Sequence, residues 1–139
     1  MSDCILCKIV RGEAPSHKLW EDESFLAVLT IGPLNPGHTL LIPKIHVDYI
    51  FDLEEPLYAE VFQVAKRLAK PLREATGAKR VGIVVEGFTV AHVHVHLIPL
   101  HHEDEIDPRR VMEMSAEQLA QVGERIRGQM SRDNPGGAI

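Results

Sequence analysis

The sequence predicts an α+β protein: an antiparallel sheet carrying one long helix, with a second helix near the C-terminus. Three observations support this. Leu57, Val61, Val64, Leu68 and Leu72 recur at helical spacing, a second such stripe follows Ser115, and between and before them lie short aliphatic runs cut by turn residues. The 139 residues read as one domain spanning 1–139. It has a core over about 3–100, a helical extension over about 101–130 and a frayed tail at 131–139.

In chain order, residues 17–20 and 25–30 are two strands joined as a hairpin through the acidic turn Glu21-Asp22-Glu23. Asn35-Pro36-Gly37 then breaks the chain before a strand over 38–42, which Pro43 ends. The long helix runs over 53–76, with Asp52 and Glu55 placed as a capping box, Gly77 as its stop and Pro71 bending or shortening its last turns. Residues 80–85 read as a buried strand, and Gly87 turns the chain into a partner strand over 90–99, making a hairpin. His101-His102-Glu103-Asp104-Glu105 is a polar loop. A second capping box, Ser115 with Gln118, opens a helix bearing Leu119, Val122, Ile126 and Met130 on one face.

The net charge of −5 is spread along the chain, and no basic run is long enough to follow a nucleic acid backbone, so polymeric nucleic acid is not an expected partner. No stretch approaches 18 apolar residues and the N-terminus carries no leader-like segment, so a soluble cytoplasmic protein is expected, with no membrane partner. In that compartment Cys4 and Cys7 are thiols or metal ligands rather than a disulfide.

The segment Val90-Ala91-His92-Val93-His94-Val95-His96-Leu97-Ile98-Pro99 carries the chemistry. In an extended strand its three imidazoles share one face, about 7 Å apart, where a metal, an anion or mutual hydrogen bonding must stabilise them. Imidazole serves as nucleophile, proton carrier or metal ligand. Cys4-x-x-Cys7 is half of a zinc site, for which His46 and one of the strand histidines can supply the other two ligands; the alternative is a pair of small buried residues. His38 can stand beside the row as a fourth imidazole, or be structural. Thr89, in the turn before His92, is a candidate phosphate contact, while His17, His101 and His102 are weaker candidates.

His92-Val93-His94-Val95-His96-Leu97-Ile98 resembles the signature of the histidine triad (HIT) family. Residues Cys4-Ile5-Leu6-Cys7-Lys8-Ile9-Val10-Arg11-Gly12-Glu13-Ala14-Pro15 and Pro36-Gly37-His38-Thr39-Leu40-Leu41-Ile42-Pro43-Lys44-Ile45-His46 resemble earlier segments of its HINT-like bacterial branch. The resemblance implies a HIT-like α+β protomer that pairs into a homodimer with a continuous sheet and binds a purine nucleotide or nucleotide conjugate. It makes His94 the nucleophile at the α-phosphorus of a phosphoramidate or related nucleotide, passing through a nucleotidyl-histidine. It gives His96 a phosphate contact, has His38 orient the nucleophile, and assigns His92, His46, Cys4 and Cys7 to a structural zinc.

Two departures stand out. Thr30 occupies the place where many relatives carry a ribose-binding aspartate, and the turn over 85–91 is shorter than theirs, without their asparagine and Gly-Gln segment. The ribose contact is thereby weakened or rerouted. Phe25, Leu26 and Ile31 are a candidate apolar pocket for the base. Competing expectations are a dinucleoside polyphosphate hydrolase, a nucleotide-binding or interaction module without turnover, and a catalytic zinc held by the three strand histidines.

Overall fold

The computed structural model describes residues 4–134. Helix α1 (Ile5–Val10) leads into strands β1 (His17–Glu21), β2 (Phe25–Leu29) and β3 (Thr39–Pro43). Then come helix α2 (Leu57–Thr76), strands β4 (Arg80–Val84) and β5 (Val95–Leu100), and helix α3 (Ala116–Asp133). The strands form one antiparallel sheet in the order β1-β2-β3-β5-β4.

Side-chain alternation divides this sheet into two faces. Phe25, Ala27 and Leu29 of β2, Leu41 of β3, and Val95 and Leu97 of β5 pack with Val61, Leu68 and Leu72 of α2 and with Leu119, Val122, Ile126 and Met130 of α3. Leu26, Val28 and Ile42 point the other way and pack with Leu6 of α1. Strand β2 is therefore buried on both faces, and each fully buried leucine contributes about 1.5–3 kcal/mol. The cross-strand partners Val28, Leu40 and His96 lie in one row on the α1 face. That row sets His96 beside an apolar floor.

Several expectations hold. Ser115 Oγ accepts from the Gln118 N–H (3.1 Å) while Gln118 Oε1 accepts from the Ser115 N–H (2.9 Å), completing the α3 capping box. Gly77 ends α2 at φ 70°, in the left-handed region that glycine reaches without a steric cost. Others need correction. The capping box at Asp52 and Glu55 is absent: Asp52 closes a single 3-10 turn, Ile50–Asp52, and Glu55 Oε1 instead accepts from the Ala59 N–H at 3.0 Å. Pro56 accounts for this, because the residue before a proline is held out of the helical region, so Glu55 does not enter the first turn and α2 runs from Leu57 with Pro56 as its N-cap. Pro71 does not shorten α2, which runs to Thr76 with Leu68 and Leu72 fully buried on either side.

Strand β4 is not buried. It is one of the two edge strands of the sheet, with Ile83 half exposed, and its apolar run does not distinguish edge from centre. The histidine segment is a strand only from Val95 onward. Upstream, the Val93 N–H donates to Val47 O (2.7 Å) and leaves the sheet, so His92, His94 and His96 do not share one strand face. The segment between β4 and β5 is a ten-residue excursion in which Gly87 has φ 75°. Helix α1 was not anticipated, although Leu6, Ile9 and Val10 have helical spacing. Of the tail expected to fray, residues 131–133 belong to α3, and 135–139 lie outside the described residues.

Candidate functional site

The histidines form two clusters. In the first, His38 just before β3, His96 within β5 and His94 just before β5 stand together. The ring centroids are 5.1 Å apart for His38 and His96, and 4.9 Å for His94 and His96. Their hydrogen bonds fix which nitrogens carry protons. The Leu34 backbone N–H, which can only donate, reaches His38 Nδ1 at 3.1 Å. Nδ1 must therefore be the lone-pair nitrogen, and the neutral ring carries its proton on Nε2.

His38 Nε2–H then donates to His96 Nδ1 at 2.9 Å, which leaves the His96 proton on Nε2. Burial, reinforced by the His96 charge, pulls His38 down to about 4; burial and the His94 charge do the same to His96. Both rings are neutral near pH 7. His94 Nδ1–H donates to the His92 carbonyl at 2.7 Å, so its Nε2 lone pair is left for bonding. The trio therefore presents one free imidazole lone pair beside one free N–H donor.

The second cluster joins Cys4, Cys7, His46 and His92, whose ligand atoms all lie within 4.8 Å of one another. Cys7 Sγ is 3.2 Å from His46 Nδ1 and 3.5 Å from His92 Nδ1. Cys4 Sγ is 3.5 Å from His92 Nδ1, and the two Nδ1 atoms are 3.2 Å apart. Two thiolates at about 2.3 Å and two imidazoles at about 2.05 Å around a tetrahedral ion stand about 3.3–3.8 Å from one another. The donor set and its spacing thus fit a metal ion.

Helix α1 builds half of this site, because a Cys-x-x-Cys spacing places both sulfurs on the same side of its first turn. His92 is fully buried, and its Nε2–H donates to Pro43 O at 2.8 Å, which aims the Nδ1 lone pair at the cluster. Burial lowers the His92 pKa and keeps the ring in the neutral form that metals require. Burial and the adjacent Cys4 raise the Cys7 thiol, so a thiolate pair here calls for a cation.

The remaining candidates divide. Thr30 follows β2 on the α1 face beside His38: its N–H donates to His38 O (3.1 Å) and its Oγ1 accepts from the Gly32 N–H (3.3 Å). Thr89 lies exposed in the excursion before His92. His17 sits on the outer strand β1, paired with Leu29, away from both clusters. The side chains of His101 and His102 join neither cluster. Of the proposed base pocket, Phe25 belongs to the main core on the opposite face and Ile31 is 79 % exposed, so only Leu26 faces α1. A catalytic metal held by all three strand histidines does not fit, because His92 turns away from His94 and His96.

Three groups were missed by sequence reasoning. The Leu34 N–H and the Pro43 carbonyl are backbone atoms, on which side-chain identity gives no signal. Glu105, in an acidic run expected to be solvated, is instead 9 % exposed and accepts backbone N–H bonds from His101 (2.6 Å) and His102 (3.0 Å).

Paired neutral imidazoles at the head of an antiparallel sheet, backed by a Cys/His cluster, define a class of histidine-rich α+β domains. The chain belongs to the histidine triad family: the family model described as the HIT domain matches residues 11–103. The chain is 37% identical over 111 residues to an uncharacterized HIT-like protein of Borreliella burgdorferi, covering 75% of this chain and 80% of that protein. It is 39% identical over 101 residues to the adenosine 5'-monophosphoramidase HNT1 of Saccharomyces cerevisiae, covering 72% of this chain and 64% of that one. Among solved structures, a zinc-bound histidine triad family protein from Mycobacterium smegmatis superposes with a TM-score of 0.83 at 28% identity, covering 97% of this chain and 98% of the other.

Proposed function

We propose that the protein is a nucleotidyl hydrolase of phosphoramidase type, with His94 as nucleophile. The observation that carries this reading is the proton arrangement of the first cluster. His94 Nδ1–H is anchored on the His92 carbonyl, so Nε2 offers its lone pair to the α-phosphorus of a nucleoside phosphoramidate. The new bond joins Nε2 to phosphorus, and the bond to the leaving nitrogen breaks, with a proton drawn from water. Water then cleaves nucleotidyl-His94, releasing the nucleoside monophosphate and restoring the ring. His96, whose Nδ1 is occupied by His38, has its Nε2–H left to donate to a phosphate oxygen as charge builds there.

The substrate's nucleoside, a purine in this reading, rests on the half-buried Leu40 next to His96, against Ile9 of α1 and Val90 of the excursion. Thr30 and Thr89 contact ribose and phosphate respectively. The similarity to a yeast adenosine 5'-monophosphoramidase supports this substrate class.

The second cluster holds a structural zinc through Cys4, Cys7, His46 and His92, a reading that the zinc-bound mycobacterial relative supports. Zinc there supplies cross-linking alone, tying α1 to the segment that presents His94.

Two copies pair through β4. Its unpaired edge exposes Ile83 (50 %), and Tyr49, Phe51, Tyr58 and Phe62 form a chain of ring contacts running onto α2. An apolar open edge of this kind favours a covering strand, and a second β4 extends the sheet across a homodimer. No described helix is long and apolar enough to cross a membrane. Steady-state hydrolysis of adenosine 5'-phosphoramidate tests the reading: release of AMP is expected, and a well-folded protein without turnover contradicts it.

A further inference from the structure

We infer that the segment 105–112, which lies beyond the residues matched by the family model, is a positioning strap that fixes the proton arrangement of the histidine trio by gripping the chain on both sides of Leu34. This inference rests on the hydrolase reading for its catalytic consequence, though not for its geometry. The Leu34 N–H sets the His38 tautomer, and through it that of His96. Whatever aims that amide therefore controls where the trio's protons lie.

Downstream of Leu34, Asn35 is held through both polar atoms of its side chain and through its backbone carbonyl. Its side-chain N–H groups donate to Pro99 O (2.8 Å) and to Glu105 Oε1 (3.2 Å), its Oδ1 accepts from Arg110 Nη2 (3.2 Å), and its backbone carbonyl accepts from the His38 N–H (3.1 Å). Upstream, the Met112 N–H donates to Pro33 O (2.9 Å). The strap is braced internally as well. Arg110 Nη1 donates to Glu105 O (3.1 Å), and its Nη2 stands 3.8 Å from Glu105 Oε2.

Burying Glu105 and Asn35, at 9 % and 6 % exposed, costs free energy unless every polar atom is satisfied, and here the satisfied network converges on the loop that serves His38. The two His101 and His102 amides, with Asn35 and Arg110, hold the Glu105 carboxyl near a pKa of about 2, so it stays charged throughout the neutral range. Neither the Glu105 nor the Asn35 side chain bonds to an imidazole ring of the trio. Both act through Leu34 and His38, as positioning residues.

The test reads the ring nitrogens of His38 by long-range nitrogen–proton NMR in the wild-type protein, Asn35→Ala, Glu105→Gln and Arg110→Met. In the wild type, His38 is expected as a single Nε2–H tautomer, with one pyridine-type and one pyrrole-type nitrogen. In Asn35→Ala the two signals are expected to move toward each other as the tautomers mix, with smaller movements in the other two. For phosphoramidate hydrolysis, kcat is expected to fall about 10-fold while KM changes less than about 2-fold.

Folded variants whose His38 signals match the wild type overturn the strap's role. If Asn35→Ala fails to fold, Arg110→Met decides, because its side chain is 36 % exposed and its loss leaves the Asn35 bond to Pro99 intact. The ring signals are recorded without substrate. A wild type that shows the single tautomer but no turnover would therefore refute the hydrolase reading and leave the strap standing.

Discussion

Replacing Gly37 by alanine is expected to destabilise the protein by more than the same change at Gly77, and the structure says by how much. Both glycines have positive φ, 95° and 70°, so alanine at either position meets the left-handed backbone penalty of about 1–2 kcal/mol. At Gly77 a Cβ meets nothing within 4 Å, and the cost stops there. At Gly37 it would lie 2.7 Å from Thr76 Cγ2 and 3.2 Å from Pro99 Cγ.

Neither neighbour gives way easily. The Thr76 hydroxyl is tied to Leu72 O at 2.7 Å, and the rigid Pro99 ring lies within β5. Overpacking of this kind adds about 1–3 kcal/mol. For a chain of this length, that corresponds to a melting temperature roughly 3–12 °C lower for Gly37→Ala than for Gly77→Ala. Differential scanning calorimetry of the two variants measures the gap, and equal melting temperatures would refute the packing argument. Gly37 also precedes His38, so Gly37→Ala is expected to lower kcat where Gly77→Ala does not.

Cys7→Ser is expected to reduce bound zinc, measured by elemental analysis, from about one per chain and to lower the melting temperature, because α1 loses its cross-link; unchanged metal content and stability would remove the cluster from the account. His38 and His96 make folding pH-dependent. Their folded pKa values of about 4 lie below the usual 6.5 of the unfolded chain, so their contribution is complete above pH 6.5 and is lost as pH falls toward 4. Denaturant titrations at pH 7.5 and 5 should show that loss in the wild type and less of it in His38→Gln. Ile83→Asp places a charge on the open β4 edge and is expected to convert dimer to monomer in light scattering, whereas a wild type that is already monomeric contradicts the pairing.

Periodicity made both long helices and most strands legible, because burial on one face leaves a repeat in the residue types: Leu57 to Leu72 and Leu119 to Met130 pack as their spacing requires. The imidazoles and thiols were legible as chemistry for a similar reason, since few structural roles need four such side chains at those spacings. What escaped was context. Nothing in the run 80–85 distinguishes an edge strand from a central one, and nothing in His92-Val93-His94 announces that the chain leaves the sheet there and sends His92 to the thiols. Glu105 looks like its solvated neighbours Glu103 and Asp104 until the fold surrounds it with donors. Phe25 was misplaced by one face, because a strand buried on both sides loses the alternation that assigns faces.

The central claim is that the His94 lone pair attacks phosphorus, and hydrolysis of adenosine 5'-phosphoramidate by the wild type and by His94→Ala tests it most directly, with both proteins confirmed folded and equally metal-loaded. The account predicts steady release of AMP by the wild type and none above background by the variant. Equal turnover by His94→Ala would contradict it.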